Sequence, residues 1–422
     1  MSGLTLRIDQ AGALPQLAVA GPLMRYLTLA ACALLASGMV LNENSYFLVV
    51  LIALLCLRPT LDRFSPLRGW ALVSTMVLVI FGSAQGYLRG HEIAHISRFA
   101  LPLSSFAVFC AFPGLGLLLF RARDFMLYVC FALTLLFTYI VKTGNFEWAD
   151  GLMSGWTMTY SSLAAISVWH YFALPFCACG IYEALSEKWT LHQAVRLGLS
   201  LATLTMLVLL NDTSSFLLAM ALTALLFILP KRLGRIFALP VLFFLILFLA
   251  DFFTVKVISN WLVNQMQILG AEDVGDLLRV IQMEYFVARA EFLGSGFGAR
   301  HDFPFMVSAS RQLSQVLYPY ASELPIVNIL FNGGALAASW FVTIILLILR
   351  LVTGSGASTR EHEHMRRFGI GCTGILVGSM SNPFLFAPAS MMLLAIMLDL
   401  IDVMPRTALI DESGRTIDPA LA

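Results

Sequence analysis

The chain has 422 residues, 59% of them hydrophobic and only 12% charged, with a formal net charge of +1. A soluble domain carries about 25% charged residues, so this composition excludes an ordinary water-soluble globule and indicates an integral membrane protein. No basic run and no basic helix face is present, which argues against a nucleic-acid binder.

Residues 1–21 are mixed in polarity. They lack a short apolar core followed by a cleavage site, so no removable signal peptide is expected. Apolar segments then follow at 23–40, 46–57, 70–87, 99–120, 125–142, 159–182, 197–211, 214–230 and 236–255. Three more come after a long polar interval, at 324–349, 368–382 and 384–402. Most have the length that crosses a bilayer core, although 46–57 is short. The expected fold class is all-α: a polytopic integral membrane protein with about twelve transmembrane helices. Breakers support the boundaries. Arg58-Pro59, Ser65-Pro66 and Pro230-Lys231-Arg232 each stop a helix in lipid. Asn211-Asp212-Thr213 is a polar break that suits a turn at one membrane face.

The 7 cysteines all fall in apolar segments and read as small hydrophobes. Cys177-Ala178-Cys179 has no further ligand nearby, so no metal site is expected. His91 and His95, beside Glu92, form a possible ligand pair, with a solvated loop as the plainer alternative.

Orientation follows from Lys and Arg. With the N-terminus in the cytoplasm, alternation puts 18 of the 26 basic residues on the cytoplasmic side, in line with the positive-inside rule. Both termini are then cytoplasmic, and the chain divides into three parts. An N-terminal transmembrane bundle occupies 1–250, a periplasmic loop or cap 251–323, and C-terminal helices with a cytoplasmic tail 324–422. A long polar loop between membrane helices suggests function. No internal repeat is evident, and the apolar segments are nearly free of mid-membrane charge, which speaks against a coupled transporter.

Within the loop, 277–292 reads as an amphipathic surface helix, with Arg279, Gln282, Met283, Phe286 and Ala290 sharing one side. Arg279 can pair with Asp276, and Arg289 with nearby glutamates; either could instead bind an anionic ligand. The run Leu293-Gly294-Ser295-Gly296-Phe297-Gly298 could cradle a phosphate with backbone amides, or simply turn the chain. Tyr318 and Tyr320 read as interfacial anchors or as sugar-stacking surfaces. Glu323 opens the next membrane helix, where the helix dipole favours a carboxylate; a proton acceptor at a cavity mouth is the functional reading.

These features carry a resemblance. Arg279 stands fifteen residues before Gly294, and Ser322-Glu323 stand eleven and ten before Gly333. With the late loop and the Ser381-Asn382-Pro383 break, the pattern resembles the O-antigen ligase and O-antigen polymerase family of bacterial surface-polysaccharide assembly. Two departures stand out. The segment Asn211 to Ser215 lacks the arginine that family often has there, and Ser322-Glu323 replaces the histidine typical of ligases. The polymerase-like branch is therefore the closer one.

The resemblance implies glycosyl transfer in the bacterial inner membrane. An undecaprenyl-pyrophosphate-linked oligosaccharide would be the donor and a sugar hydroxyl the acceptor, on the periplasmic side. In that reading Glu323 is the base, with Asp212 in reserve, and Arg279 stabilises the departing pyrophosphate. Arg89, Arg98, Arg289 and Arg300 are candidate phosphate contacts, and Ser322, Tyr318 and Tyr320 candidate sugar contacts. No cofactor or metal is called for. Expected partners are the lipid-linked glycan, membrane lipid and a chain-length regulator protein. A transporter or flippase and a non-catalytic scaffold are the alternative readings.

Overall fold

A computed structural model of the chain describes residues 22–37, 43–55, 65–111, 114–143, 161–186, 188–210, 214–228, 243, 247–249, 251–254, 256–269, 274–299, 324–353, 360–378, 388–403, 409–410 and 416–417. The described chain is helical. In order come α1 (Pro22–Ser37), α2 (Glu43–Leu55), α3 (Pro66–Leu88), α4 (Ile93–Ala111) and α5 (Leu115–Arg121). Next are α6 (Arg123–Thr143), α7 (Ser161–Ser186), α8 (Leu191–Leu210) and α9 (Ser214–Ile228). Then follow α10 (Val257–Leu269), α11 (Val274–Arg289), α12 (Pro325–Thr353), α13 (Arg360–Cys372), α14 (Gly374–Gly378) and α15 (Pro388–Val403). Among the described residues, the strands are a two-residue antiparallel ladder, Leu409–Ile410 with Thr416–Ile417.

Among the described residues, five helices are long and apolar enough to cross a membrane: Pro66–Leu88, Ile93–Ala111, Arg123–Ile140, Leu191–Leu210 and Ile326–Leu351. A sixth crossing is possible if Leu247–Phe253 and Val257–Gln265, bent by 95°, count as one broken span. Leu23–Ser37, Tyr46–Leu55 and Phe216–Phe227 are shorter apolar helices. Ser65 and Pro66, expected to stop a helix, begin one instead. The Ser65 hydroxyl accepts from the Arg68 amide at 3.0 Å, and Pro66 occupies the first turn, where a missing N–H costs nothing.

Two expected spans are each two helices. The 99–120 segment breaks at Gly114, whose φ of 115° ends one helical path and starts another. The 368–382 segment contains the end of α13 and, beyond a turn at Thr373, the short α14. The polar start of α13, from Arg360, hid its helical character from an apolar scan.

The core is built around α15. Every residue from Ala389 to Ile401 is buried, as expected of a helix that is apolar all round. It packs against α4, α5, α12 and α13. By contrast α3 is two-faced: Ala71, Thr75, Leu78, Gly82 and Gly86 form a buried stripe of mostly small residues, while Val73, Val77 and Ile80 point outward. Small residues at helical spacing let another backbone come close.

Buried charged residues gather at one end of the bundle. Arg68, at the start of α3, donates to Asp399 at 2.5 Å, to Asp402 at 2.6 Å and to the Cys110 carbonyl at 3.1 Å. Asp399 also accepts from the Gly114 and Gly116 amides, which fastens α5 to α15. A second network centres on buried Glu183 of α7, which meets Arg123 at 2.7 Å, Arg196 at 2.6 Å and His364 at 3.0 Å. That network joins α6, α7, α8 and α13. The apolar segments are thus less free of charge than expected: Asp399 lies inside the last one, sheltered by its arginine.

Candidate functional site

The opposite end of α3, about 30 Å away at 1.5 Å per residue, carries the segment that the sequence singled out. Asp251 accepts from the Val257 and Ser259 amides at 2.7 and 2.8 Å, which starts α10 after the turn at Lys256. α11 then spans Val274–Arg289, three residues toward the N-terminus of the expected 277–292. Its inner face is Val280, Gln282, Met283, Phe286 and Val287; Glu284, Ala288 and Arg289 face outward. Phe286 meets Phe331 of α12 with ring centroids 5.0 Å apart, so α11 is seated on the bundle.

After α11 the chain runs through 290–299 as an irregular strap, with turns at 292–293 and 297–298, wedged between α3, α4 and α12. Gly294, Gly296 and Gly298 have φ of 79°, 78° and 81°, which only glycine adopts without strain. The glycines also allow contact. A β-carbon on Gly296 would come within 2.5 Å of the Gly86 amide nitrogen, and one on Gly86 within 2.2 Å of the Phe297 carbonyl oxygen. The Phe297 ring lies against Gly82 and stacks on Phe99 at 5.6 Å.

The strap's polar groups are used by the bundle. The amides of Ser295, Gly296 and Phe297 donate to the carbonyls of Phe331, Asn332 and Gly82 at 2.9, 3.0 and 2.8 Å. Gln85 donates to the Gly294 carbonyl at 2.7 Å, and the Ala335 amide to the Phe292 carbonyl at 2.8 Å. These bonds overturn the phosphate-cradle reading of the glycine run, because three consecutive donors already point into helix carbonyls. The turn reading is the right one, with the added finding that the turn is buried.

The histidines also differ from expectation. His91 bonds the Phe297 carbonyl through Nδ1 at 2.8 Å, and His95 lies within α4, 3.3 Å from Glu92. Both are structural contacts beside the strap rather than a solvated loop. Among the described residues no cluster of three or more metal-ligating side chains exists.

The predicted arginines fall in different settings. Arg89 pairs with Glu291 at 2.7 Å, tying the end of α3 to the strap. Arg289 is exposed and stacks over the Tyr285 ring at 4.3 Å, in place of the expected ion pair with a glutamate. Arg98 is exposed on α4. Arg279 lies in the second turn of α11, ten residues or about 15 Å along the helix from Arg289, so the two do not converge through that helix alone. The Arg279 side chain lies outside the described residues, as do Asp212, Arg300, Tyr318, Tyr320, Ser322 and Glu323.

Sequence reasoning gave no role to three polar residues that this region buries or half-buries: Gln85, Asn328 and Asn332. Asn328 and Asn332 carried a signal, two amides one turn apart in an apolar helix. Asn332 donates to both the carbonyl and the side-chain oxygen of Asn328, at 2.8 and 2.6 Å. At the far end of the bundle, Cys177 and Cys179 are buried thiols, and the Cys179 sulfur lies 3.5 Å from Glu183. Neither a comparison with known protein families nor one with curated proteins finds a match to this chain.

Proposed function

We propose that this protein is a polymerase-type glycosyltransferase of a bacterial inner membrane. It would take glycan from an undecaprenyl-pyrophosphate carrier to a sugar hydroxyl on the periplasmic side. The proposal assigns twelve spans, cytoplasmic termini and an outer cap over 251–323. The observation that carries it is the seating of α11 and the strap on the ends of α3 and α12. An arginine-bearing helix is held at one end of an apolar bundle, opposite the end where the buried ion networks gather. That separation fits the positive-inside rule, since Arg68, Arg123, Arg196, Arg366 and Arg367 all belong to the networked end.

The chemistry follows from the leaving group. A departing pyrophosphate needs fixed positive charge, and guanidinium forks match its oxygens. In this reading Arg279 supplies that charge and Glu323 takes the acceptor proton, with Asp212 in reserve. Arg89, Arg98, Arg289 and Arg300 draw the anionic donor toward the outer face, and Ser322, Tyr318 and Tyr320 hold sugar. A chain-length regulator would act on the same face.

The test is substitution of Arg279 and Glu323 singly by Ala in cells that make the polysaccharide. The enzyme reading expects short glycan and donor accumulating on the outer leaflet. Long-chain polysaccharide at normal levels in both variants overturns it. The transporter or flippase reading is favoured by one observation, the buried Asp399 on Arg68 beside the helix break at Gly114, a combination found at ion pathways. It expects donor trapped on the cytoplasmic leaflet instead.

A further inference from the structure

The strap lies deeper than the end of the helix it crosses. On α3, Trp70 and Tyr87 are both exposed and stand seventeen residues apart, about 26 Å along the helix, close to the roughly 30 Å of a bilayer's hydrocarbon core. Exposed aromatics at that separation mark the two membrane interfaces. The strap's attachments fall inside the interval. Gln85 donates to the Gly294 carbonyl at 2.7 Å, and the Gly82 carbonyl accepts from the Phe297 amide at 2.8 Å. Gly82 is five residues, about 8 Å, inward of Tyr87. Irregular backbone at membrane depth must have its polar groups bonded to protein. Here the Ser295, Gly296 and Phe297 amides and the Phe292, Gly294 and Phe297 carbonyls are so bonded.

From Gly294 to Ala299 the strap is buried, but its tip is not. Phe292 and Leu293 are 65% and 58% exposed, as open as Ile80 on the outward face of α3 at 62%. Two outward stripes lead to this tip. On α3, Val73, Val77, Ile80, Ala84 and Leu88 are exposed at 3–4 spacing, and the neighbouring Arg89 pairs with Glu291, the residue before the tip. On α12, Ala335, Ser339, Val342 and Leu346 form a half-buried to exposed stripe at the same spacing, and the Ala335 amide donates to the Phe292 carbonyl at 2.8 Å. Ile93, at the start of α4, is exposed as well. Both α3 and α12 are long and apolar enough to cross a membrane, so the acyl chains that cover their stripes also reach the tip.

We propose that the strap is a re-entrant segment whose tip, Phe292 and Leu293, is inserted among the acyl chains of the nearer bilayer leaflet. The partner of this surface is the bilayer itself. Residues 290–299 then belong to the membrane domain rather than to a cap standing in water, and the Arg89–Glu291 pair lies at headgroup level just above the tip. Large apolar side chains seated at that boundary anchor a segment in the plane of the membrane. The inference does not rest on the glycosyl-transfer reading; it requires that α3 and α12 cross the bilayer.

The experiment uses the full chain, carrying Cys56→Ser, in nanodiscs of phosphatidylcholine and phosphatidylglycerol. A nitroxide is attached at Phe292→Cys or Leu293→Cys, and its collisions with oxygen, which concentrates in lipid, are compared with those of a nickel chelate, which stays in water. Ile80→Cys on the outward stripe of α3 sets the lipid value, and Glu92→Cys, 73% exposed at the end of the bundle, sets the water value. The oxygen-to-nickel ratio at both tip positions is expected to lie nearer that of Ile80→Cys. A ratio nearer that of Glu92→Cys overturns the proposal, and so does poor collision with both reagents, which would mean that a second copy of the chain covers the tip. Leu293→Trp serves where the label disturbs the strap. The emission it adds to wild type should be lost in nanodiscs of brominated phosphatidylcholine; emission quenched by iodide and not by bromine overturns the insertion. Lipid-like values in a protein that makes no polymer would keep the re-entrant strap and remove the enzyme. Water-like values in a protein that makes polymer would do the reverse.

Discussion

At Gly86 a single added methyl decides whether the strap fits. Its β-carbon would lie 2.2 Å from the Phe297 carbonyl oxygen, and backbone cannot move aside as a side-chain tip can. Gly86→Ala is expected to cost about 1–3 kcal/mol as overpacking. Gly69, on the same helix, has nothing within 4 Å of its β-carbon site. Gly69→Ala should be neutral or gain about 0.5–1 kcal/mol from helix propensity. Denaturation of the two variants in detergent measures the contrast, and equal midpoints would refute the close-packed strap. Charge obeys the same local logic. Arg89 and Glu291 are 40% and 53% exposed, so Glu291→Ala should cost about 0.2–1 kcal/mol. Glu183 is 1% exposed between Arg123 and Arg196, and Glu183→Gln leaves two guanidinium groups without their shared carboxylate. A loss of about 3–5 kcal/mol is expected there. A Glu183→Gln protein as stable as wild type would mean that the network is solvated.

Among the elements, α11 and the strap are fastened to the bundle separately. Phe286 is fully buried against Phe331, while the strap is held by main-chain bonds to α3 and α12. Phe286→Ala should cost about 3–5 kcal/mol and release α11 first, since local opening follows the weakest attachment. Arg289 is exposed on the last turn of α11, so trypsin reports that opening. Cleavage after Arg289 is expected at least about tenfold faster in Phe286→Ala than in wild type. Unchanged cleavage would show that α11 is held elsewhere. Amphipathic spacing made this helix legible, because Gln282, Met283 and Phe286 do face inward. The strap was not legible in the same way. Its glycines announced unusual backbone, but spacing alone cannot distinguish a turn that binds phosphate from one that binds helix carbonyls. The difference lies in Gly82 and Gly86, some 210 residues away in sequence, and in the kink at Gly334, whose φ is 57°.

Across the whole molecule, apolar length was the strongest signal and long-range pairing the weakest. Hydropathy found the bundle, but it gave α15 no special place. Only packing shows that this last apolar helix is the core that α4, α5, α12 and α13 surround. The buried ion networks were invisible for the same reason: Arg68 and Asp399 are 331 residues apart, and each alone reads as a membrane-face charge. Their position nevertheless bears on orientation. Burying Arg68, Arg123 and Arg196 with carboxylates puts these basic residues at one end, while Arg89 and Arg98 lie near the other, where α3 turns into α4. α3 has 23 residues and is about 35 Å long, more than the roughly 30 Å of a bilayer core, so its two ends must open on opposite sides if it crosses. Thiol labelling can read that directly. The 6 described cysteines are buried, which leaves Cys56→Ser as a quiet background. In it, Glu92→Cys beside the strap should react with a membrane-impermeant maleimide in intact cells. Lys188→Cys, in the exposed turn after the Glu183 network, should react only after the membrane is opened. Labelling of Lys188→Cys from outside would reverse the bundle, and would put the arginines of α11 on the side where no lipid-linked glycan awaits polymerisation.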